Sequence, residues 1–413
     1  MNNSVYTLAP ACTTENILKY IERKKLPVMN KAIKYRIYPT TEQIVLIFKT
    51  FGCCRKVWNL MLADKIAFYK QTSAMLKNTP AQYKASCPFL KEVDSLALAN
   101  VQLHLQAAYN AFSKNKSIGF PNFKSAKHSK KAYTTNNQKG TIALTEKGIK
   151  LPKLGVVKAK IHRSPKSGWT LKSATISQES DGKFYVSVLF EYEEEIKAVP
   201  VSKNAIGLDY KSDGLYMDSN GIVGSNHKFY RESYKKLCKA QRRLSRMVEA
   251  NIIGYKAGPK GGRVPIYRKP LSECKNIIKQ KLKIAKISRH IANQRLDNLH
   301  KKSTEIANLY DVICVESLNI KAIANRGFGN GKATLDNGYG MFLNFLEYKL
   351  TDRGKHFVKV DKWFPSSQLC SYCGNRQKLA LSVRTYACRS CGIVIDRDYN
   401  AALNIKKRRT KIA

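Results

Sequence analysis

From Met29 the chain alternates apolar and polar positions, with Ile33, Tyr35 and Ile37 on one side of a run that Pro39 stops. That period of two predicts a strand. Thr41 and Glu42 then open a helical rhythm through Ile44, Val45, Ile47, Phe48 and Phe51, and the rhythm recurs over Val57–Tyr69 and Leu96–Phe112. These segments predict a small helical bundle. The stretch FPNFKSAKHSKKAYTTNNQKG is basic, aromatic and rich in turn residues, and reads as a loop or domain seam. Between Thr141 and Glu195 the texture changes to short alternating runs, TIALT, GIKLP, KAKIH, KSATISQ and KFYVSVLFEY, cut by Gly, Pro and Asp-Gly turns. Such spacing predicts a small β-barrel or sandwich, closed off by Glu193-Glu194-Glu195 and Pro200.

A third region starts near Asn204, where AIGLDY and GLYMD predict strands and DSNGIVG a hairpin. Arg231 to Arg246 predicts a helix with a basic stripe, its reverse side carrying Leu237, Ala240, Leu244 and Met247. Only Glu232 offers that stripe an acidic partner one turn away, so a phosphate-facing role stands beside the plain reading of a solvated face. Gly254–Pro270 reads as a Gly/Pro loop, and a second basic helix is expected over about Leu271–Leu309. DVICVE and HFVKV predict further strands, Arg326–Tyr339 a Gly-rich mobile segment, and DYNAALNIKKRR a final short helix. Residues 1–28 precede the pattern and read as an extension.

Charge changes this picture. The chain has 413 residues with 74 Lys plus Arg against 29 Asp plus Glu, a formal net charge of +45. The excess is spread over both halves, so a detachable basic tail is not its source. Apolar residues make up 43%, which excludes a mainly disordered chain. A folded body this basic needs a polyanion, and nucleic acid is charged enough; acidic lipid would ordinarily meet a local patch. The longest stretch without a charge, Ser95–Ser113, holds Asn100, Gln102, His104, Gln106 and Asn110, which suits a buried helix rather than lipid. No basic segment followed by an apolar run suggests a secretory signal.

Eleven cysteines are present. Seven are scattered, whereas Cys370-x2-Cys373 and Cys388-x2-Cys391 form two matched pairs, each before a glycine. This is reduced-compartment usage with one metal site rather than a disulfide framework. Two thiolates on each of two tight turns close a tetrahedron around Zn2+, leaving no open position, so the zinc is expected to be structural. Three acids also stand out: Asp209 ends AIGLD, Glu316 ends VICVE, and Asp398 opens DYNAALNI. Acids from two strand ends and a helix start can converge on two Mg2+ ions about 3.5–4 Å apart, the arrangement that hydrolyses a phosphodiester. Taken singly, Asp209 reads equally as a turn residue, Glu316 as an ion-pair partner and Asp398 as a helix cap.

GLDY, VESLNIK, KWFPSSQLCSYCG and CRSCGIVIDRDYNAALNI occur in the order of the split RuvC nuclease domain of the TnpB family. KYRIYPTTEQ, FPNFKSAKHSKKAYTTN and SATISQESDGKFYVSVLFE resemble its N-terminal half. The resemblance runs from Met29 to the C-terminus. It implies an RNA-guided DNA endonuclease of bacterial insertion sequences, with miniature type V CRISPR effectors as the nearest alternative. It also implies that the metal-binding aspartate is the one before Tyr399-Asn400-Ala401-Ala402, namely Asp398, leaving Asp396 to pair with a neighbouring base or cap the turn. Two positions depart from the pattern: Lys211 stands where many members have glycine, and VESLN replaces the commoner VEDLN.

The expected fold class is multidomain α+β. A β-barrel with an inserted helical recognition bundle (wedge- and recognition-like) spans 29–200. A ribonuclease-H-like α/β RuvC nuclease spans 201–365, interrupted by a zinc ribbon over 366–395 and completed by a helix over 396–413. Expected catalytic and Mg2+-binding residues are Asp209, Glu316 and Asp398; expected Zn2+ ligands are Cys370, Cys373, Cys388 and Cys391. Expected partners are guide RNA, double-stranded target DNA and the displaced single strand, which Arg376, Lys378, Arg384 and Arg389 would help to seat. No membrane is expected; the place is bacterial cytoplasm near the nucleoid, and one copy with its RNA is carried forward as the assembly. The rivals are a silent RNA-guided DNA-binding regulator and a transposase performing strand transfer.

Overall fold

Strand β1 (Val28–Tyr38) forms as its alternation requires: Ile33, Tyr35 and Ile37 are buried and the residues between them face outward. A computed structural model of the protein describes residues 27–408, apart from 203, 226, 259–260, 324–330 and 381. The N-terminal extension therefore lies almost wholly outside the described residues. Described residues fall into two compact units, divided between Glu195 and Ile196.

In the first unit, helix α1 (Thr41–Thr72) begins at a capping box. The Thr40 hydroxyl accepts from the Gln43 amide, while Gln43 Oε1 accepts the Thr40 N–H at 3.0 Å. The two apolar rhythms over 41–51 and 57–69 are one uninterrupted helix of 32 residues, ended by Ser73 in the left-handed region. Helix α2 (Ser95–Lys114) is capped by Asp94 and packs beside it. Strands β2 (Ala132–Asn136), β3 (Ala143–Thr145), β4 (Gly148–Leu151), β5 (Gly155–Lys160), β6 (Thr170–Gln178) and β7 (Phe184–Glu193) join β1 in an antiparallel sheet of order β2-β6-β7-β1-β5-β4-β3. Two expectations change here. The supposed seam contains β2, because Tyr133 and Thr135 are buried and the strand pairs with β6 from Ala132 to Asn136. The supposed barrel is an open sheet among the described residues, with β2 and β3 as its two edges.

The second unit is built on strands β8 (Ala205–Tyr210), β9 (Tyr216–Asp218) and β10 (Val223–Gly224), a meander read correctly from its turns. Helix α3 (Phe229–Glu249) follows, then strands β11 (Ile252–Ala257) and β12 (Arg263–Tyr267). Those two strands form a hairpin where a Gly/Pro loop is expected, because the glycines serve its turn: Gly258 N–H donates to Gly262 O at 2.7 Å. Helix α4 (Lys275–Leu309) leads into β13 (Val312–Glu316), helices α5 (Gly331–Asn337) and α6 (Tyr339–Thr351), and strand β14 (His356–Val360). Of the expected mobile segment Arg326–Tyr339, residues 326–330 lie outside the described residues, whereas 331–337 are helical. Strands β15 (Thr385–Ala387) and β16 (Val394–Asp396) pair with each other, and helix α7 (Arg397–Lys407) closes the chain.

The sheet order is β10-β9-β8-β13-β14, with β8, β13 and β14 parallel. Parallel neighbours require crossovers, and helices α3 to α6 supply them. One sheet face, carrying Ile206, Leu208, Ile313 and Val315, packs against Leu299, Ile306, Phe342 and Leu346 of α4 and α6. The other face, carrying Ala205, Val312 and Cys314, packs against Ile405 of α7. Strand alternation thus assigns Asp209 and Glu316, in step with Ala205 and Cys314, to the face covered by α7.

Candidate active site

Leu208 and Val315 are register partners, so Asp209 and Glu316 are the next residues on adjacent parallel strands, at their carboxyl ends. In open α/β sheets that edge is where ligands are held. Helix α7 brings the third acid. Its approach depends on Gly207: a Cβ there would lie 2.2 Å from Ala402 O and 2.6 Å from Lys406 N. Glycine at this position lets α7 lie directly on β8 and sets its N-terminus beside the strand ends. Asp396 is the N-cap of α7, its Oδ1 accepting the Tyr399 N–H at 2.9 Å, so Asp398 is not used as a cap.

Electrostatics link the three acids. Asp209 is pushed well above the usual carboxylate range by burial, then by the negative charges of Glu316 and Asp398. Burial also raises Glu316, opposed by the Ser366 hydroxyl, which donates to Glu316 Oε1 at 3.2 Å. Asp398 Oδ2 accepts from Lys211 Nζ at 2.8 Å. Asp209 thus sits within electrostatic reach of both other acids, in a partly buried space at the carboxyl ends of the strands.

The cysteine pairs converge as well. Their four sulfurs all lie within 4.8 Å of one another, and Cys370–Cys391 and Cys373–Cys388 are each 3.6 Å apart. Thiolates ~2.3 Å from a tetrahedral zinc are separated by about 3.8 Å, so the donor set fits a closed zinc site. The two turns are built alike: Gly374 N–H returns to Cys370 O and Gly392 N–H to Cys388 O, each at 3.0 Å. Both glycines have positive φ, +78° and +73°, the conformation each turn needs. The Cys391 N–H lowers the Cys388 thiol to about 6. Around the cluster, Arg376, Lys378, Arg384 and Arg389 are not buried.

Residues that sequence reasoning did not single out hold this assembly together. Asn400, fully buried, accepts the Ser371 N–H at 2.8 Å and donates to Leu369 O at 2.7 Å. Asn404, one turn on, donates to Ser366 O at 2.9 Å and Leu369 O at 2.7 Å. The pair binds the turn leading into the cysteine cluster to α7, and therefore to Asp398. Their signal in the sequence was two amides four residues apart inside an otherwise apolar stripe.

A multidomain α+β protein with an acid cluster on one sheet edge and a four-cysteine cluster against the closing helix is the class that fold and site define. The fold is similar to that in a Cas12f1–sgRNA–target DNA complex solved by cryo-electron microscopy, with a TM-score of 0.55 at 14% identity, covering 92% of this chain and 99% of that one. Residues 339–405 match the family described as Cas12f1-like, TNB domain, and residues 187–326 the family described as Probable transposase. Residues 29–73 match a family described as Helix-turn-helix domain, although here they form one strand and one unbroken helix. A relative from Streptomyces pristinaespiralis, bearing the name RNA-guided DNA endonuclease, is 31% identical over 91% of this chain and 89% of its own. InsQ of Escherichia coli K12, of the same description, is 28% identical over 91% of each chain. The chain belongs to the TnpB family.

Proposed function

We propose that this protein is an RNA-guided DNA endonuclease with a single RuvC-like, Mg2+-dependent site formed by Asp209, Glu316 and Asp398. The observation that carries the reading is the convergence of the acid ends of β8 and β13 with the start of α7, across a mixed sheet that begins as a meander and continues in parallel. That layout supports the ribonuclease-H-like assignment of 201–365 with 396–413. Bound at these carboxylates, Mg2+ would supply Lewis-acid activation and charge neutralisation at the leaving oxygen. The chain's own residues orient that chemistry. Asp209 and Glu316 are held by paired strands, Ser366 fixes one Glu316 oxygen, and the buried amides of Asn400 and Asn404 keep α7 in place.

Sequence choice falls to a guide RNA. Among the described residues no helix carries an evident base-reading code, and a basic body delegates specificity to base pairing. The unit around 29–200 would grip the guide–target duplex and read a short adjacent motif, and the ribbon over 366–395, with Zn2+ at Cys370, Cys373, Cys388 and Cys391, would help to seat the displaced strand. The miniature type V CRISPR effector is the second reading, favoured by the Cas12f1-like match over 339–405. The exposed side of α3, with Arg231, Lys235, Lys239, Arg242 and Arg246 open to solvent, suits phosphate contact. The test is retargeting: purified protein should carry a discrete RNA, and a changed guide segment should move the cut. Sequence-specific cleavage by RNA-free protein would sink the proposal.

A further inference from the structure

Lys211 bonds directly to the acid cluster, and its environment is unusual for a lysine. Its Nζ donates to Asp398 Oδ2 at 2.8 Å, and the two side chains are only 20% and 16% exposed. It lies two residues beyond Asp209, on the turn that leaves β8. That turn is anchored rather than free. Asn337 Nδ2 of α5 donates to Ser212 O at 2.9 Å, and Tyr210 Oη bonds Thr334 Oγ1 at 3.1 Å. The backbone at 210–212 is thereby fixed on one side by the sheet and on the other by α5, so the ammonium has a short, directed reach to Asp398.

We propose that Lys211 is a tethered cation that occupies Asp398 in the metal-free protein and competes with a divalent ion for that carboxylate, so that it sets how much divalent ion the site requires. The inference rests on the reading that the acid cluster holds metal. Its physical basis is charge. Three acids of one sign in a partly buried space repel one another, and a monovalent ammonium offsets part of that repulsion without any metal. The same ammonium opposes a second cation, by repulsion and by holding an oxygen the ion would use. A glycine at this position, as the resembling pattern has, can do neither. Lys211 is on this account a positioning residue that acts through Asp398.

The experiment is a Mn2+ titration of the RNA-free full chain, with Lys211→Met, Lys211→Gln, Lys211→Arg and Asp398→Asn compared with wild type. Mn2+ prefers oxygen donors and so reports on the carboxylates rather than the cysteines. Lys211→Met and Lys211→Gln should bind Mn2+ roughly tenfold more tightly, the scale of one charge-assisted hydrogen bond. Lys211→Arg, which keeps the charge, should stay near wild type. Without added divalent ion the two neutral variants should melt below wild type, and Mn2+ should raise their melting temperatures more than it raises that of wild type. Unchanged or weaker Mn2+ binding by both neutral variants, alongside binding by wild type that Asp398→Asn loses, would overturn the role of Lys211 alone. Equal Mn2+ binding by wild type and Asp398→Asn would overturn the metal reading of Asp398 and the inference with it.

Discussion

Two aspartates separated by one residue have different work because a helix begins between them. Asp396 spends its carboxylate on the Tyr399 N–H, and Asp398, in the first turn of α7, meets Lys211 beside Asp209 and Glu316. Asp398→Ala should abolish DNA cleavage in Mg2+ while guide RNA and target binding persist, as should Asp209→Ala and Glu316→Ala. Asp396→Ala removes a helix cap, costing about 1 kcal/mol of stability, and should keep measurable cleavage. A side-by-side cleavage assay with guide RNA decides the matter: activity in Asp398→Ala beside none in Asp396→Ala would reverse the assignment. Gly207 belongs to the same scale. Its missing Cβ is what admits Ala402 O to within 2.2 Å of that position, so the glycine of GLDY serves helix packing rather than a turn.

At the level of elements, α7 depends on the cysteine cluster as much as on the sheet. Asn400 and Asn404 tie the helix to the backbone at Ser366, Leu369 and Ser371, and Cys370 follows directly on Leu369. The cysteine cluster's own core is small, with Tyr386, Cys370 and Cys388 buried and Leu379, Ile393 and Ile395 packed against them. A core of that size gains much of its stability from a bound metal. Cys373→Ser should therefore lose zinc by elemental analysis and, by loosening 366–396, reduce cleavage as well, although no cysteine belongs to the acid cluster. Zinc-free wild-type protein with intact folding and full cleavage would remove this link.

The molecule as a whole carries +45, and neither unit holds a helix among its described residues that is long and apolar enough to cross a membrane. Charge on this scale makes association with DNA sequence-independent and strongly dependent on salt. Protein without guide RNA should lose on the order of a thousandfold in affinity for random duplex between ~50 and ~200 mM salt, as counterion release requires for several phosphate contacts. A filter-binding or anisotropy titration measures it, and a flat salt dependence would show that the basic residues do not meet phosphate. Base-specific cutting should not follow that slope, because pairing with a guide rather than protein contacts selects the target.

Local chemistry was legible in the residues themselves. The two CxxC-Gly turns, the acids ending AIGLD and VICVE, and the strand and helix identities of β1, β6, β7, β13, α2 and α4 all follow from periodicity and spacing that act within a few residues. Where periodicity and turn residues disagreed, the sequence misled: Gly and Pro around 254–270 suggested a loop although they serve a hairpin, and polar Ala132–Asn136 is a strand only because β6 lies beside it. The open edge between β2 and β3 was equally hidden, since closure depends on partners far apart in the chain. The tertiary structure alone decided that Gly207 lets α7 reach β8, that buried amides fasten the cysteine cluster to that helix, and that Lys211, 187 residues from Asp398, bonds it. Each of these is a contact between distant segments, formed when packing brings them together, and short-range pattern carries no record of it.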